Sequence, residues 1–437
     1  VGAIVGTGIY TLVGVGADRA GPAVILSFAI AGAVCAFAAL AYAELATMMP
    51  ASGSAYTYSY ASMGELVAWI IGWALILEYS VVCSAVAVGW SGYAVGFLNG
   101  LGVELPAALT GGPASEGGLV NIPAILIVAA VTGMLLIGTR ESANVNSVLV
   151  VVKIVALAVF VALAVPAFSA ANFDPFAPYG FAAHVDAAGA DRGIMSAAAI
   201  IFFAFYGFDA VSTAAEETKD PGKNLSIGII GSMVICTLIY MAVASAAIGA
   251  MPFRDFAASG EPLAHILRTL GHGKAAALIA AAAVVALPTV ILAFMYGQSR
   301  IFFVMARDGL LPHQLGRVHE KSGAPVAMTI ITGVVCALIA GVLPLATIAE
   351  LANAGTLAAF IATSAALMIL RRREPDRARP FKTPLPFIVA PAAILGCLYL
   401  FFSLPAVTQT RFFIWMGAGL VVYFVFSRGS SLLARRG

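Results

Sequence analysis

Phe202–Glu217 reads FFAFYGFDAVSTAAEE. It has the apolar content of a membrane helix, but Gly207 interrupts it and Asp209 puts a charge where hydrocarbon is expected. A continuous transmembrane helix satisfies its backbone N–H and C=O groups internally, so an interrupted one leaves some of them free for whatever binds there. Interrupted helices come in pairs in membrane proteins built from repeated halves. A second stands at the start of the chain, where Gly2–Tyr10, GAIVGTGIY, sets Gly2, Gly6 and Gly8 around Thr7 in an apolar run. These two interruptions are the candidate functional site.

Of the 437 residues 61% are hydrophobic and only 10% charged, and the mean hydropathy is +1.00. That leaves too little polar surface to cover a soluble globule, so the chain is expected to be an all-α integral membrane protein. The net charge of +2 and the short, scattered basic runs give no sign of nucleic-acid binding. Cys35, Cys83, Cys236, Cys336 and Cys397 stand alone in apolar segments without a CxxC pair and read as small core residues. Val1 already lies inside an apolar run without an initiator Met, so the true N-terminus and the first half of helix 1 are expected to precede it.

Apolar spans long enough to cross roughly 30 Å of hydrocarbon at about 1.5 Å per residue give about twelve transmembrane helices. The first six are predicted near Val1–Gly16, Pro22–Met49, Leu66–Leu98, Ile122–Gly138, Val145–Val165 and Ile194–Ala215. The second six are predicted near Leu225–Ala250, Ala275–Phe303, Val326–Leu345, Leu351–Leu370, Phe387–Val407 and Phe412–Phe426. The third and eighth exceed the minimum, which implies tilt. With the N-terminus inside, 16 Lys and Arg fall on the cytoplasmic side and 6 outside, Lys153 completing the 23, so both termini are expected to be cytoplasmic. The interrupted helices 1 and 6 stand five spans apart. That is the spacing of two inverted five-helix repeats, about 1–165 and 194–370, with helices 11 and 12 (about 387–427) peripheral, all in one transmembrane domain covering 1–437.

Several chemistries lack their motifs. There is no GxxxxGK[ST], GxSxG or HExxH, and His184, His265, His272, His313 and His319 fall in predicted loops without metal-ligand spacing. No cofactor and no metal are expected. A membrane-embedded enzyme or receptor would need a catalytic constellation or a ligand-reading domain, and neither is visible.

Gly2 and Gly6 also form a GxxxG that could serve helix packing alone. Three glycines in seven residues weaken the helix more than packing requires, and a released helix start offers N–H donors to an anion. At the second break the carbonyls around Phe203, Ala204 and Tyr206 become acceptors for a cation or ammonium, so the two breaks together suit a zwitterion. Phe202, Phe203, Phe205 and Phe208 are expected to be core or lipid-facing in at least two cases, with one aromatic beside Gly207 free to cover a solute.

Each charge at mid-bilayer costs roughly 2.5–3.5 kcal/mol unless it faces protein or water. Glu44, near the cytoplasmic end of helix 2, is expected to snorkel. Glu78 in WALILEY and Lys153 in VVKIVAL lie too deep for that. They could form a structural ion pair. A buried lysine is also costly to keep charged, so one whose partner or hydration changes with conformation can load and release a proton. Both roles stay open here. If Lys153 occupies Glu78, no spare carboxylate other than Asp209 is left for a basic side chain, which favours a small or apolar neutral solute. Met295, in AFMYG, is a candidate for its side-chain pocket.

Taken together, GAIVGTGIY, PASGSAYTYSYASMGELVAWIIGW, WALILEY, FFAFYGFDAVSTAAEETKDPGKN, RIFFVMARDGLLP and LRRREPDRARPFKTP span nearly the whole chain. In them the chain resembles amino acid permeases of the amino acid-polyamine-organocation superfamily, within it the bacterial cationic amino acid transporter group. The resemblance implies a leucine-transporter-like fold of five plus five helices and two more, working by alternating access. It also implies secondary transport of an amino acid driven by protons in the plasma membrane, with cationic amino acid uptake or antiport as alternatives. By the same resemblance, the backbone of Gly6, Thr7 and Gly8 would hold the substrate carboxylate, and the carbonyls of Ile4, Phe203, Ala204 and Tyr206 its ammonium group. Lys153 would stand where sodium-coupled relatives of the fold bind sodium, and Glu78 matches an acidic residue of the same subgroup. The partners implied are the amino acid, the proton and the lipid bilayer.

Overall fold

The computed structural model describes residues 1–51, 53–137, 143–213, 218–312, 315 and 325–430. Ala214 and Ala215 at the predicted end of helix 6, Glu216 and Glu217 after them, and Arg140, His313, Arg317, His319, Lys321, Arg435 and Arg436 lie outside the described residues.

The first half of the chain comprises α1 (Thr7–Tyr10), α2 (Leu12–Ala20), α3 (Val24–Met48), α4 (Ala55–Met63), α5 (Glu65–Gly100), α6 (Ala107–Thr110), α7 (Ile122–Ile137) and α8 (Ala143–Ala164). The stretch from Pro166 to Gly193 carries only the short hairpin β1 (His184–Val185) and β2 (Asp191–Arg192) and 3-10 turns. Asp186 closes that hairpin. The N–H of Ala190 and the Arg192 guanidinium hold its carboxyl below the usual carboxylate range. The second half comprises α9 (Ile194–Ile201), α10 (Phe208–Thr213), α11 (Pro221–Ala250), α12 (Phe253–Phe256), α13 (Pro262–Thr269), α14 (Gly273–Ala286), α15 (Pro288–Arg307), α16 (Val326–Val342), α17 (Leu345–Arg373), α18 (Pro386–Phe402), α19 (Ala406–Val422) and α20 (Arg428–Ser430).

Eight helical runs among the described residues are long and apolar enough to cross a membrane, and three shorter apolar helices accompany them. Both long spans read from the sequence are long here too: Glu65–Gly100 runs 36 residues and Gly273–Arg307 runs 35. Between α11 and α14 the sequence predicts no element, yet α12 and α13 lie there. α13 is too short to span, but it buries Leu263, Ala264, Ile266 and Leu267 on one face. It also puts His265 in a helix instead of a loop.

α5 packs along α17 and α15, and α3 along α11. The C-terminal part of α5 presents Gly89, Gly92 and Gly96 on one face. A Cβ on Gly89 would lie 2.2 Å from Thr7 Cγ2, one on Gly92 2.7 Å from the Gly260 carbonyl oxygen, and one on Gly96 2.1 Å from the Glu261 carboxyl carbon. These bare positions let the start of the chain and the α12–α13 loop approach the α5 backbone.

Two buried ionic clusters tie the early helices to α17. On α2, Arg19 pairs with Glu350, whose other oxygen accepts from Thr408 Oγ1 at 2.8 Å. On α3, Glu44 does not snorkel, contrary to the sequence-based expectation. It is fully buried and takes Arg371 Nε at 2.7 Å, Arg379 Nε at 3.1 Å and the Thr383 N–H at 2.7 Å. The reason is that LRRREPDRARPFKTP folds back over the end of α3, which brings two guanidiniums to the carboxylate. All five cysteines are free and buried, as core residues should be.

Candidate functional site

The predicted helix 1 is not continuous. Gly6 is extended (φ −149°, ψ −150°), α1 starts at Thr7, and the helix kinks at Thr11 before α2. Among the described residues the N–H groups of Gly6, Thr7 and Gly8 donate to no backbone carbonyl. These are the donors that a helix start cannot satisfy itself.

The second interruption begins where α9 ends. A 3-10 turn covers Phe202–Phe205, Tyr206 is extended, and Gly207 takes φ +107°, in the left-handed region that favours glycine. Among the described residues the carbonyls of Ala204, Phe205 and Tyr206 accept no backbone hydrogen bond, whereas that of Phe203 accepts the Tyr206 N–H at 3.4 Å. Asp209 explains itself locally. Its Oδ1 accepts the Gly207 N–H at 3.1 Å and its Oδ2 the Tyr79 hydroxyl at 3.4 Å, so the charge caps the restart of the helix at α10.

The two interruptions cross in direct contact. A Cβ on Gly8 would fall 2.2 Å from Ala204 Cα, and one on Gly207 2.7 Å from the Ala3 carbonyl. Free donors and free acceptors are therefore held within one buried crossing. The predicted residues Ile4, Gly6, Thr7, Gly8, Phe203, Ala204 and Tyr206 all lie in it. The Ile4 carbonyl already accepts Tyr240 Oη of α11 at 2.8 Å, which leaves it one lone pair.

The aromatics divide as the sequence suggests. Phe202 and Phe208 pack edge-on or tilted against Phe360, and Phe205 edge-on against Tyr240. Phe203 packs tilted against Tyr206 beside the crossing. Met295 is buried in α15 but sits about 140° round the helix from Val290. Val290, whose Cγ2 would lie 3.3 Å from a Cβ on Gly6, is the α15 side chain that lies against Gly6. The sequence offers no signal for Val290, one aliphatic among many.

Lys153 and Glu78 do not form the ion pair considered above. Lys153 Nζ donates to the Gly2 carbonyl at 3.0 Å and to Thr289 Oγ1 at 3.1 Å, which links α8 to the start of the chain and to α15. Glu78 packs against Gly355 of α17, and among the described residues no hydrogen-bond donor is placed in good geometry on either carboxyl oxygen. The two residues face different elements, because α5 turns Glu78 toward α17 and not toward α8. The argument that Lys153 occupies Glu78, and so selects a neutral solute, therefore fails.

Two further residues belong to the site. Tyr240 holds Ile4, and Asn353 of α17 reaches the second break from the side. A lone amide in the apolar LANAGT was a readable signal for Asn353, since polar groups at membrane depth usually have a task.

The sequence profile of the amino acid permease family matches residues 1–426. The chain is 46% identical over 436 residues to the branched-chain amino acid permease BcaP of Bacillus subtilis, covering 99% of this chain and 92% of that protein. It is 42% identical over 435 residues to the methylthioribose transporter of the same organism, with the same coverage. It is 35% identical over 386 residues to the vacuolar cationic amino acid transporter 4 of Arabidopsis thaliana, covering 86% of this chain and 62% of that protein. A profile match over almost the whole length, on helices that cross at two interruptions, has one reading: the chain belongs to the amino acid permease family and is a multi-pass membrane transporter of amino acids.

Proposed function

We propose that the protein is a proton-coupled symporter that carries branched-chain and other small apolar amino acids by alternating access. The observation that carries this reading is the crossing of the two breaks. The N–H groups of Gly6–Gly8 suit a carboxylate, which the start of a helix also attracts through its dipole. The carbonyls of Ala204–Tyr206 suit an ammonium. Val290 and Phe203 leave an apolar surface beside them, which strands a charged side chain at a cost and accepts an aliphatic one. Two relatives named as branched-chain permeases, 46% and 32% identical, support the same choice.

Lys153 is the group we assign to proton coupling. It touches both the first break and α15, so its charge can respond to whether those elements are together or apart. Glu78, buried against Gly355 of α17, is the second titrating group. Twelve crossings follow if Leu12–Met48 is divided at Gly21 and the shorter apolar helices are taken as spans, which fits two inverted five-helix repeats and a peripheral pair in one transmembrane domain. We place the protein in the plasma membrane with both termini cytoplasmic. Transport requires no covalent chemistry, metal or cofactor.

The test is uptake into proteoliposomes of purified protein, with labelled leucine, valine, arginine or methylthioribose, with and without an inward proton gradient. Branched-chain amino acids should accumulate, faster with the gradient and without sodium. Methylthioribose carried in preference to leucine would assign the chain the substrate of its 42% relative. Preference for arginine would favour cationic uptake, with Glu78 as partner. Accumulation driven by an opposing amino acid gradient alone would make it an antiporter.

A further inference from the structure

Asn353 uses all of its amide in one place. Its Nδ2 donates to the carbonyls of Ala199 at 2.6 Å and Ile200 at 3.1 Å, and its Oδ1 accepts from the Tyr206 hydroxyl. Ala199 and Ile200 end α9, while Tyr206 follows the 3-10 turn. One side chain therefore grips the break from both ends, and it is fully buried.

This has a physical reason. At the end of a helix the last carbonyls lose their partners, and deep in a membrane no bulk water replaces them. Asn353 supplies donors from another helix to two of these carbonyls, Ala199 and Ile200, the second of which also takes the Phe202 N–H. With both N–H groups engaged, it has no donor left for a solute. Its neighbours on α17 address other elements: Glu350, one turn earlier, pairs with Arg19 of α2, and Gly355 lies against Glu78 of α5. Asn353 is thus the point at which α17 reads the shape of the second break.

We propose that Asn353 is a positioning residue for substrate binding: by fixing Tyr206 against the end of α9 it aims the carbonyls of Ala204–Tyr206, and it makes their orientation depend on where α17 stands. This rests on the reading of the crossing as the substrate site. Two consequences distinguish positioning from general packing. Losing the amide should weaken substrate binding more than it slows turnover, and Tyr206→Phe should act through the same bond.

The experiment measures leucine counterflow, KM and maximal rate separately, for Asn353→Ala, Asn353→Gln, Tyr206→Phe and the Asn353→Ala/Tyr206→Phe pair, with Gly6→Val as control for the site. Losing one to three neutral hydrogen bonds should raise KM about fivefold or more for Asn353→Ala and about threefold for Tyr206→Phe. Maximal rates should stay within about twofold, and the double variant should be no worse than Asn353→Ala alone, since both changes break one network. Asn353→Gln keeps the amide and should recover part of the loss. If Asn353→Ala does not yield folded protein, Tyr206→Phe alone decides. An unchanged KM in Tyr206→Phe, or fully additive effects in the pair, would overturn the proposal. If Gly6→Val leaves KM unmoved, the crossing is not the substrate site and the site reading itself fails. If Gly6→Val raises KM while the Asn353 and Tyr206 variants do not, only the positioning role fails.

Discussion

Gly6 and Gly8 are two residues apart and do different things. A Cβ at Gly8 meets the backbone of Ala204 at 2.2 Å, which cannot move without parting the two breaks. A Cβ at Gly6 meets only Val290 Cγ2 at 3.3 Å, the tip of a side chain that can give by a few tenths of an ångström. Gly8→Ala should therefore reduce the yield of monodisperse protein in detergent. Gly6→Ala should purify normally and lose substrate affinity, read as a higher KM in counterflow. Equal yields for the two variants would contradict the close crossing. Lys153 and Glu78 separate in the same way. Lys153→Ala should abolish proton-driven accumulation while sparing counterflow, because the proposed site holds the substrate with backbone groups elsewhere. Since the two side chains share no bond, the effects of Lys153→Ala and Glu78→Gln on the pH profile of uptake should add. Strong non-additivity would restore the ion pair.

Among the elements, α3 and the segment after α17 are joined most heavily through Glu44. Removing one partner of a buried ion pair leaves the other uncompensated, which costs roughly 3–5 kcal/mol. Glu44→Ala strands two guanidiniums and should lower the thermal midpoint in detergent most. Arg371→Ala should lower it less, because Arg379 and the Thr383 N–H still hold the carboxylate. Indistinguishable midpoints would mean that water reaches this cluster. The breaks were legible in the sequence because a glycine and a charge inside an apolar run violate a local rule that needs no knowledge of neighbours. The partners of Glu44, Glu78 and Lys153 were not legible. Each depends on which way a helix is rotated and what lies across from it, and an apolar span with lipid-like residues on every side carries little record of its own rotation. α13 was missed for another reason: its eight residues bury one face against protein, not a span against lipid.

At the scale of the whole molecule, both buried ionic clusters bridge the beginning and the end of the chain. Arg19 and Glu350 are 331 residues apart, Glu44 and Arg371 are 327 apart, and Glu44 and Thr383 are 339 apart. A chain ending before α17 should therefore be cleared from cells, and supplying the remaining helices as a separate polypeptide should raise its abundance. Loss of both fragments alike would show that the two halves cannot find each other. The order of synthesis gives this feature a further meaning. At roughly 5–20 residues per second, a ribosome needs on the order of 15 to 65 seconds to travel from Glu44 to Arg371. For that interval α3 is in or near the membrane with a glutamate whose countercharges do not yet exist, and Arg19 of α2, which also meets Asp191 at 3.7 Å, lacks its closer partner Glu350. The newborn first half must keep those groups at the water interface, or in the care of the insertion machinery, until α17 arrives, and only then can the early helices take up their final depth.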